Sequence, residues 1–401
     1  MTFDPASRIQ DHQVFGEYGE VNPSITDAST YTFLNADIMK EHFAEGVPGC
    51  FLYSRHWSPI NRTLADALAA MEDTEDAQLT ASGMAAITGV LLQLCGQGDE
   101  IVASHTVYGG TYAFLKHLAP RYGIRTTFVN CNDEAEVRAA ITDKTRVVYC
   151  ESMSNPLLRV PDMPALAKLA HDNGAKLVVD NTFAPLILSP ARLGADVVVH
   201  SLTKFINGTS DCIAGVVCGS SEFVAELTDV NSGTLMLLGP TLDSLRAASI
   251  MKNLHSLHIR MQKHSENALY VAQKLAERGL PVSYPGLDNH DDHARLASVM
   301  NADFGYGGML TLDAGDEDTA HKLVRRLQEE KFGYLAVSLG YFRSLFSPSG
   351  SSTSSEIPLD EQLAMGLTPG LVRFSIGLDQ DIARSYQRLE AVLKELGLLK
   401  N

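Results

Sequence analysis

From about residue 61 onward, short apolar runs alternate with stretches of helical period. EIVAS (100–104), TTFVN (126–130), RVVYCE (146–151), KLVVD (176–180), DVVVHS (196–201) and IAGVVCG (213–219) are rich in β-branched residues and predict strands. Between them, TYAFLKHLAPRYG (111–123), DEAEVRAAITD (133–143) and MPALAKLAHDNG (163–174) carry apolar residues at helical spacing. Two helices are predicted ahead of these strands, NRTLADALAAMED (61–73) and TASGMAAITGVLLQLCG (80–96), the second ended by Gly96. Continuous apolar strands separated by helices are buried on both faces, which implies a mostly parallel sheet with helical crossovers. In such sheets ligands bind beyond the carboxyl ends of the strands.

The pattern changes at both ends. The first sixty residues, with turn formers such as GEYGEVNPS (16–24), show little periodicity and read as an arm that packs on a partner subunit. Past about residue 250 a long helix is predicted over 254–279 and strands over GGMLTLDAG (307–315) and LVRFSIGL (371–378), with a weaker one in KFGYLAVSLG (331–340). SPSGSSTSSEIP (347–358) reads as a polar loop, and an amphipathic helix closes the chain over 381–397. The expected organisation is an arm (1–60), a large α/β domain (61–253) and a smaller C-terminal α+β domain (254–401).

Composition narrows the function classes. The chain has 401 residues, 45% of them hydrophobic, which suits a globular protein of two or three domains. Its net charge of -16 sets aside nucleic-acid and membrane-surface partners. The six cysteines include no C-x-x-C pair, and Cys150 and Cys218 end apolar runs as buried free thiols. MTFDPASRIQ lacks the apolar region of a signal peptide, and no apolar run reaches the ~18 residues of a membrane span. A cytoplasmic protein is expected.

Candidate chemistry gathers at predicted strand ends. Asp180 ends KLVVD, where a buried carboxylate is costly without a partner. The next strand ends in Ser201-Leu202-Thr203-Lys204, so an acid, a lysine and two hydroxyls leave the same rim. Pyridoxal 5′-phosphate (PLP) needs such a set: a lysine to attach it, an acid to keep its pyridine nitrogen protonated, and donors for its phosphate. The same spacing fits an Asp and a Lys that merely flank strands. Ser82-Gly83-Met84 opens an apolar helix whose N-terminus attracts anions, although many helices begin with Ser-Gly and hold none. Tyr108, in HTVYGGTY, is placed either to stack on a planar ligand or to fill a core. Arg373, inside LVRFSIGL, calls for a carboxylate from a ligand or from a structural ion pair.

The stretch DNTFAPLILSPARLGADVVVHSLTKFINGTSD (180–211) resembles the PLP-lysine signature of the Cys/Met-metabolism family of fold-type I PLP enzymes. YSR (53–55), ASGMAAI (81–87), VYGGTY (107–112), ESMSNPLLRV (151–160), SLG (338–340) and LVRFSIGL match in the family's order. The resemblance implies an α/β, fold-type I PLP-dependent transferase-like fold, and PLP as cofactor. It makes Lys204 the attachment point, Asp180 the partner of the pyridine nitrogen, and Tyr108 the stacking ring and an acid toward the leaving thiol. Gly83, Met84, Ser201 and Thr203 would hold the phosphate, Asn155 would lie near the ring hydroxyl, and Ser338 and Arg373 would bind the substrate α-carboxylate. Tyr53 and Arg55 would reach the phosphate of a neighbouring subunit in a homotetramer built from two active dimers.

This chain departs from the family at several points: HWSPIN (56–61) follows YSR, Gly110 stands where methionine γ-lyases commonly carry cysteine, and Val337 precedes the SLG where several cystathionine-processing members have glutamate. Val337 removes a partner for cystathionine's distal ammonium. The expected activity is therefore that of a PLP-dependent carbon–sulfur lyase performing γ-elimination on a sulfur amino acid. γ-Replacement, as in cystathionine γ-synthase or an O-acylhomoserine sulfhydrylase, and cystathionine γ-lyase chemistry share its early steps. A non-catalytic PLP-binding protein is the alternative from another class. DNHDDH (288–293) and the histidines 255, 258 and 264 mimic metal clusters but are expected to be a solvated loop and a helix face, without metal.

Overall fold

The computed structural model describes residues 3–16, 18–45, 49–352 and 354–399. The portions of the expected arm at 1–2, 17 and 46–48, residue 353 of the Ser-rich loop, and 400–401 lie outside the described residues.

Among the described residues, β1 (Asp76–Thr80), β2 (Glu100–Ser104), β3 (Arg125–Val129), β4 (Thr145–Glu151), β5 (Lys176–Asp180), β6 (Val197–Ser201) and β7 (Gly215–Gly219) form one sheet in the order β1-β7-β6-β5-β4-β2-β3. The pairs from β6 through β3 are parallel, while β7 runs antiparallel to β6 and β1. Side chains alternate across the sheet. Val148, Val179, Val198 and Val216 enter one apolar cluster, whereas Val147, Val178, Val197 and Val217 enter the cluster on the other face. That double burial is the reason these strands read as unbroken apolar runs.

A second sheet, β10-β11-β12-β9-β8, comprises β8 (Val282–Ser283), β9 (Met309–Asp313), β10 (Gly333–Leu335), β11 (Ser344–Pro348) and β12 (Leu371–Ser375). The helices Leu257–Glu277, Glu317–Glu329 and Ile382–Glu395 pack on it around Leu310, Phe346 and Phe374.

The structure corrects several expectations. The helix over 80–96 runs Gly83–Leu94, because Ser82 accepts the Ala85 N–H at 3.1 Å and caps it there. Thr80 belongs instead to β1, whose polar DAQLT hides an edge strand. The helix over 254–279 begins at Leu257, after a separate helix Ser244–Leu254. At the break, Ser256 Oγ donates to the Asn253 carbonyl and diverts it from a helical ladder. The Ser-rich loop begins inside β11. Among the described residues the arm forms the helices Pro5–Asp11 and Ala36–Glu45 and ends in the start of the helix Pro59–Glu72. Asp292 of DNHDDH is buried, not solvated. Arg159 and Arg295 donate to it at 2.7 and 2.8 Å, so it ties the loop after β4 to the helix His293–Val299. His264 lies on the helix Leu257–Glu277 as expected, on its fully buried face. It lies edge-on to Phe205, and burial pushes its pKa down to about 4.

Candidate active site

The carboxyl ends of β4, β5 and β6 present Glu151, Asp180 and Ser201 along one rim, with Glu151 and Asp180 in direct register. Above that rim lies a cavity lined by residues from both sheets. It gathers Gly83, Met84, Tyr108, Asn155, Asp180, Ser201, Thr203, Lys204, Ser338 and Arg373, every expected site residue except Tyr53 and Arg55.

Lys204 follows β6 by three residues, and its Nζ donates to Ser338 Oγ at 3.2 Å. Burial, then repulsion from Arg373, pushes its pKa down to about 8. A larger share of the amine is therefore neutral and nucleophilic near neutral pH than for an ordinary lysine. Addition of an aldehyde to Lys204 in the cofactor-free protein should rise with pH and level off near pH 8, not near the ordinary 10.5. Borohydride trapping followed by peptide mass analysis reads this directly, and a midpoint above pH 10 would refute it.

Asp180 is 8% exposed, and its Oδ1 accepts the Thr182 N–H at 2.9 Å. Burial raises its pKa against that hydrogen bond, so a cationic partner is needed to hold it ionised. Arg373 projects from the middle of β12 and is 3% exposed. Its Nη1 donates to Asn155 Oδ1 at 2.9 Å and its Nη2 to the Ser338 carbonyl at 3.3 Å. Burial lowers its pKa to about 10. Its hydrogen-bond acceptors are neutral, which leaves the charge suited to an incoming carboxylate.

One end of the cavity is built from backbone. Ser82, Gly83 and Met84 line the cavity where Gly83–Leu94 begins, and the first N–H groups of a helix lack intrahelical acceptors. A Cβ on Gly83 would sit 2.7 Å from Ser201 Cβ, so only glycine lets the helix start approach the end of β6. Thr203 is more engaged than its sequence position implies. Its Oγ1 accepts the Ala214 N–H at 3.1 Å and donates to the Ala214 carbonyl at 3.3 Å.

Tyr108 is 41% exposed and lines the same cavity. A Cβ on Gly110 would meet Tyr108 Cε1 at 2.6 Å, so the ring occupies the space a side chain at 110 would need. Gly110→Ala should displace the ring and lower kcat by roughly ten- to a hundredfold, as small misplacements of reacting groups do. Steady-state rates beside a melting curve separate this from unfolding, and an unchanged kcat would mean the ring position does not matter.

Tyr53 and Arg55 lie elsewhere, in a surface cleft with Asp27, Ser29, Thr241 and Asp243. The Arg55 guanidinium sits 5.5 Å from the Tyr53 ring centroid, and the ring is 44% exposed. Within one chain neither residue reaches the cavity.

The sequence reading missed Glu151, Met153, Thr182, Phe183, Ile213 and Leu339 in the lining. Glu151 ends RVVYCE as Asp180 ends KLVVD, so the same strand-end argument would have found it. The apolar members carry no such signal.

Residues 7–384 match the model of the family described as Cys/Met metabolism PLP-dependent enzyme. Methionine gamma-lyase of Arabidopsis thaliana is 45% identical over 96% of this chain and 89% of its own. The crystal structure of metB from Corynebacterium glutamicum superposes with a TM-score of 0.88 at 31% identity, over 98% of this chain and 99% of that one. A putative O-acetylhomoserine (thiol)-lyase (metY) from Campylobacter jejuni, solved with a pyridoxyl-lysine phosphate, gives 0.90 at 25% identity, over 98% and 100%.

Proposed function

The chain belongs to the Cys/Met-metabolism PLP-dependent enzyme family, and on that premise we propose that it is a carbon–sulfur lyase performing γ-elimination on a sulfur amino acid, with methionine as the favoured substrate. The cavity fits the cofactor. It offers a desolvated lysine amine, a buried carboxylate in need of a cationic partner, and a glycine-lined helix start for an anion. When bound, PLP supplies the electron sink for carbanions at the substrate carbons.

The chain's own groups do the rest. Lys204 attaches the cofactor and serves as the base that takes the substrate α-proton at Nζ. Asp180 keeps the pyridine nitrogen protonated. The helix start at Gly83 and Met84, with Ser201 and Thr203, would hold the phosphate, and Asn155 would serve the ring hydroxyl. Arg373 and Ser338 would fix the substrate carboxylate. Tyr108 would hold the cofactor's planar face and give its hydroxyl proton to the departing thiolate. Methionine plus water would become methanethiol, 2-oxobutanoate and ammonia.

The observation that carries the choice of substrate is Val337. It lines the cavity beside Ser338, so an apolar side chain stands there and no carboxylate at that position pairs with a distal ammonium. A thioether ending in a methyl group suits that wall better than cystathionine does. The structural neighbour named as a putative O-acetylhomoserine (thiol)-lyase favours a second reading, γ-replacement. Purified PLP-loaded protein should release 2-oxobutanoate and methanethiol from methionine alone. Thioether formed only when an activated homoserine ester and a thiol are both supplied would install the second reading instead.

The proposal extends to assembly. Tyr53 and Arg55 would complete the phosphate site of a neighbouring subunit in a homotetramer of two active dimers, which accounts for their exposure away from their own cavity. A cytoplasmic location suits the six unpaired thiols. No helix among the described residues is long and apolar enough to cross a membrane.

A further inference from the structure

We infer that Glu151 is a positioning residue, a single buried carboxylate that sets the places of Tyr108, Asn155 and, through Asn155, Arg373. The inference rests on the PLP-lyase reading for its meaning, but its geometry stands without it.

Glu151 Oε1 accepts the Tyr108 N–H at 2.7 Å, and Oε2 accepts the Asn155 N–H at 2.8 Å. Tyr108 closes the loop beyond β2, at the start of the helix Gly109–Ala113, and Asn155 lies in the loop beyond β4, a neighbouring strand. The carboxylate therefore bridges two loops that no ladder hydrogen bond joins at that point. Asn155 then presents its Oδ1 to Arg373 Nη1 at 2.9 Å, so its Nδ2 is left as the donor toward the cavity. One carboxylate thus fixes the backbone under the aromatic ring and under the amide, and the amide fixes the guanidinium.

The arrangement is costly, which argues that it has a use. Glu151 is 6% exposed and faces the cavity. Burial and the neighbouring Asp180 both push its pKa well above the ordinary range, while the two backbone N–H groups and Arg373 oppose them. Asp180, Arg373, Tyr108 and Lys204 are the titratable groups that share this cavity with it. Only a carboxylate has two acceptor oxygens for two N–H donors. The amide of glutamine would set its own NH2 against one of them.

The test compares wild type with Glu151→Gln. Hydrogen exchange on the cofactor-free proteins reads the loops directly. Peptides containing Tyr108 or Asn155 should exchange about tenfold or more faster in at least one loop of the variant, as loss of a hydrogen bond to a charged group implies. In the same samples PLP affinity should fall by roughly ten- to a hundredfold. The pH titration of the lysine-bound cofactor's absorbance should also shift, which a merely structural role would not cause. Unchanged exchange, affinity and titration, with only a lower melting temperature, would overturn the inference. If wild type takes up no PLP at Lys204, the functional reading fails while the exchange result still judges Glu151. If Glu151→Gln does not fold, Glu151→Asp decides. One methylene shorter, it should protect one loop and release the other, and equal protection of both refutes the proposal.

Discussion

Lys204→Ala should abolish turnover, with a loss of at least about four orders of magnitude. The substitution removes both the covalent attachment and the base, and a positioned acid or base alone contributes about 10²–10⁴-fold. The expected result is a protein that still folds and still binds PLP through the groups around its phosphate and pyridine nitrogen, without the absorbance of a lysine-linked cofactor. The cofactor-free variant should also differ in stability from wild type. A lysine pKa lowered to about 8 on folding means the unfolded chain binds more protons between about pH 8 and the ordinary 10.5. Stability contributed by this group therefore rises as pH rises through that window, and below it the buried amine is a net cost. Melting curves of the two cofactor-free proteins should accordingly diverge most near pH 7, with the alanine variant higher, and draw together above pH 10. Retained turnover in Lys204→Ala would remove this lysine from the mechanism, and with it the reading built on β6.

Arg373→Ala should have the second-largest effect. Removing one partner of a buried, hydrogen-bonded charge interaction costs about 2–5 kcal/mol, or roughly thirty- to several-thousandfold in kcat/KM. The loss should fall mainly on KM for amino-acid substrates and shrink when the carboxylate is masked as an amide, because that is the substrate group the guanidinium would bind. Arg373→Lys should lie between, since it keeps the charge but loses the two-pronged fork that now spans Asn155 Oδ1 and the Ser338 carbonyl. A second consequence is independent of substrate. Arg373 contributes to lowering the Lys204 pKa, so its removal should move the midpoint of aldehyde trapping upward. An unmoved midpoint together with an unmoved KM would place Arg373 in the scaffold.

Much of this was legible before any tertiary contact was known. Buried parallel strands announce themselves, because residues pointing to both faces must be apolar. KLVVD and DVVVHS therefore located Asp180 and Lys204 on one rim, and Ser82-Gly83-Met84 marked the helix that starts at Gly83. The motif resemblance then supplied roles for Tyr108, Asn155, Ser338 and Arg373. Polar strands were harder. β1, at a sheet edge, and β11, between β10 and β12, have polar or Pro-containing sequences, and their pairing comes from neighbours outside the strand's own segment.

What the tertiary structure alone decided concerns who touches whom. Nothing local says that Ser338 meets the Lys204 amine, that Asn155 holds Arg373 across 218 positions, or that the Tyr108 ring fills the space above Gly110. Glu151 shows the difference most plainly. Its place at a strand end was written in RVVYCE, but its task depends on two loops meeting over the sheet rim. The sequence by itself determined the strands, the rim and the candidate lysine, because hydrophobic period and strand-end chemistry are properties of short segments. Hydrogen-bond partners, desolvation and the shifted proton affinities of Lys204 and Asp180 depend on distances between segments, and only the gathering of distant segments around one cavity sets those.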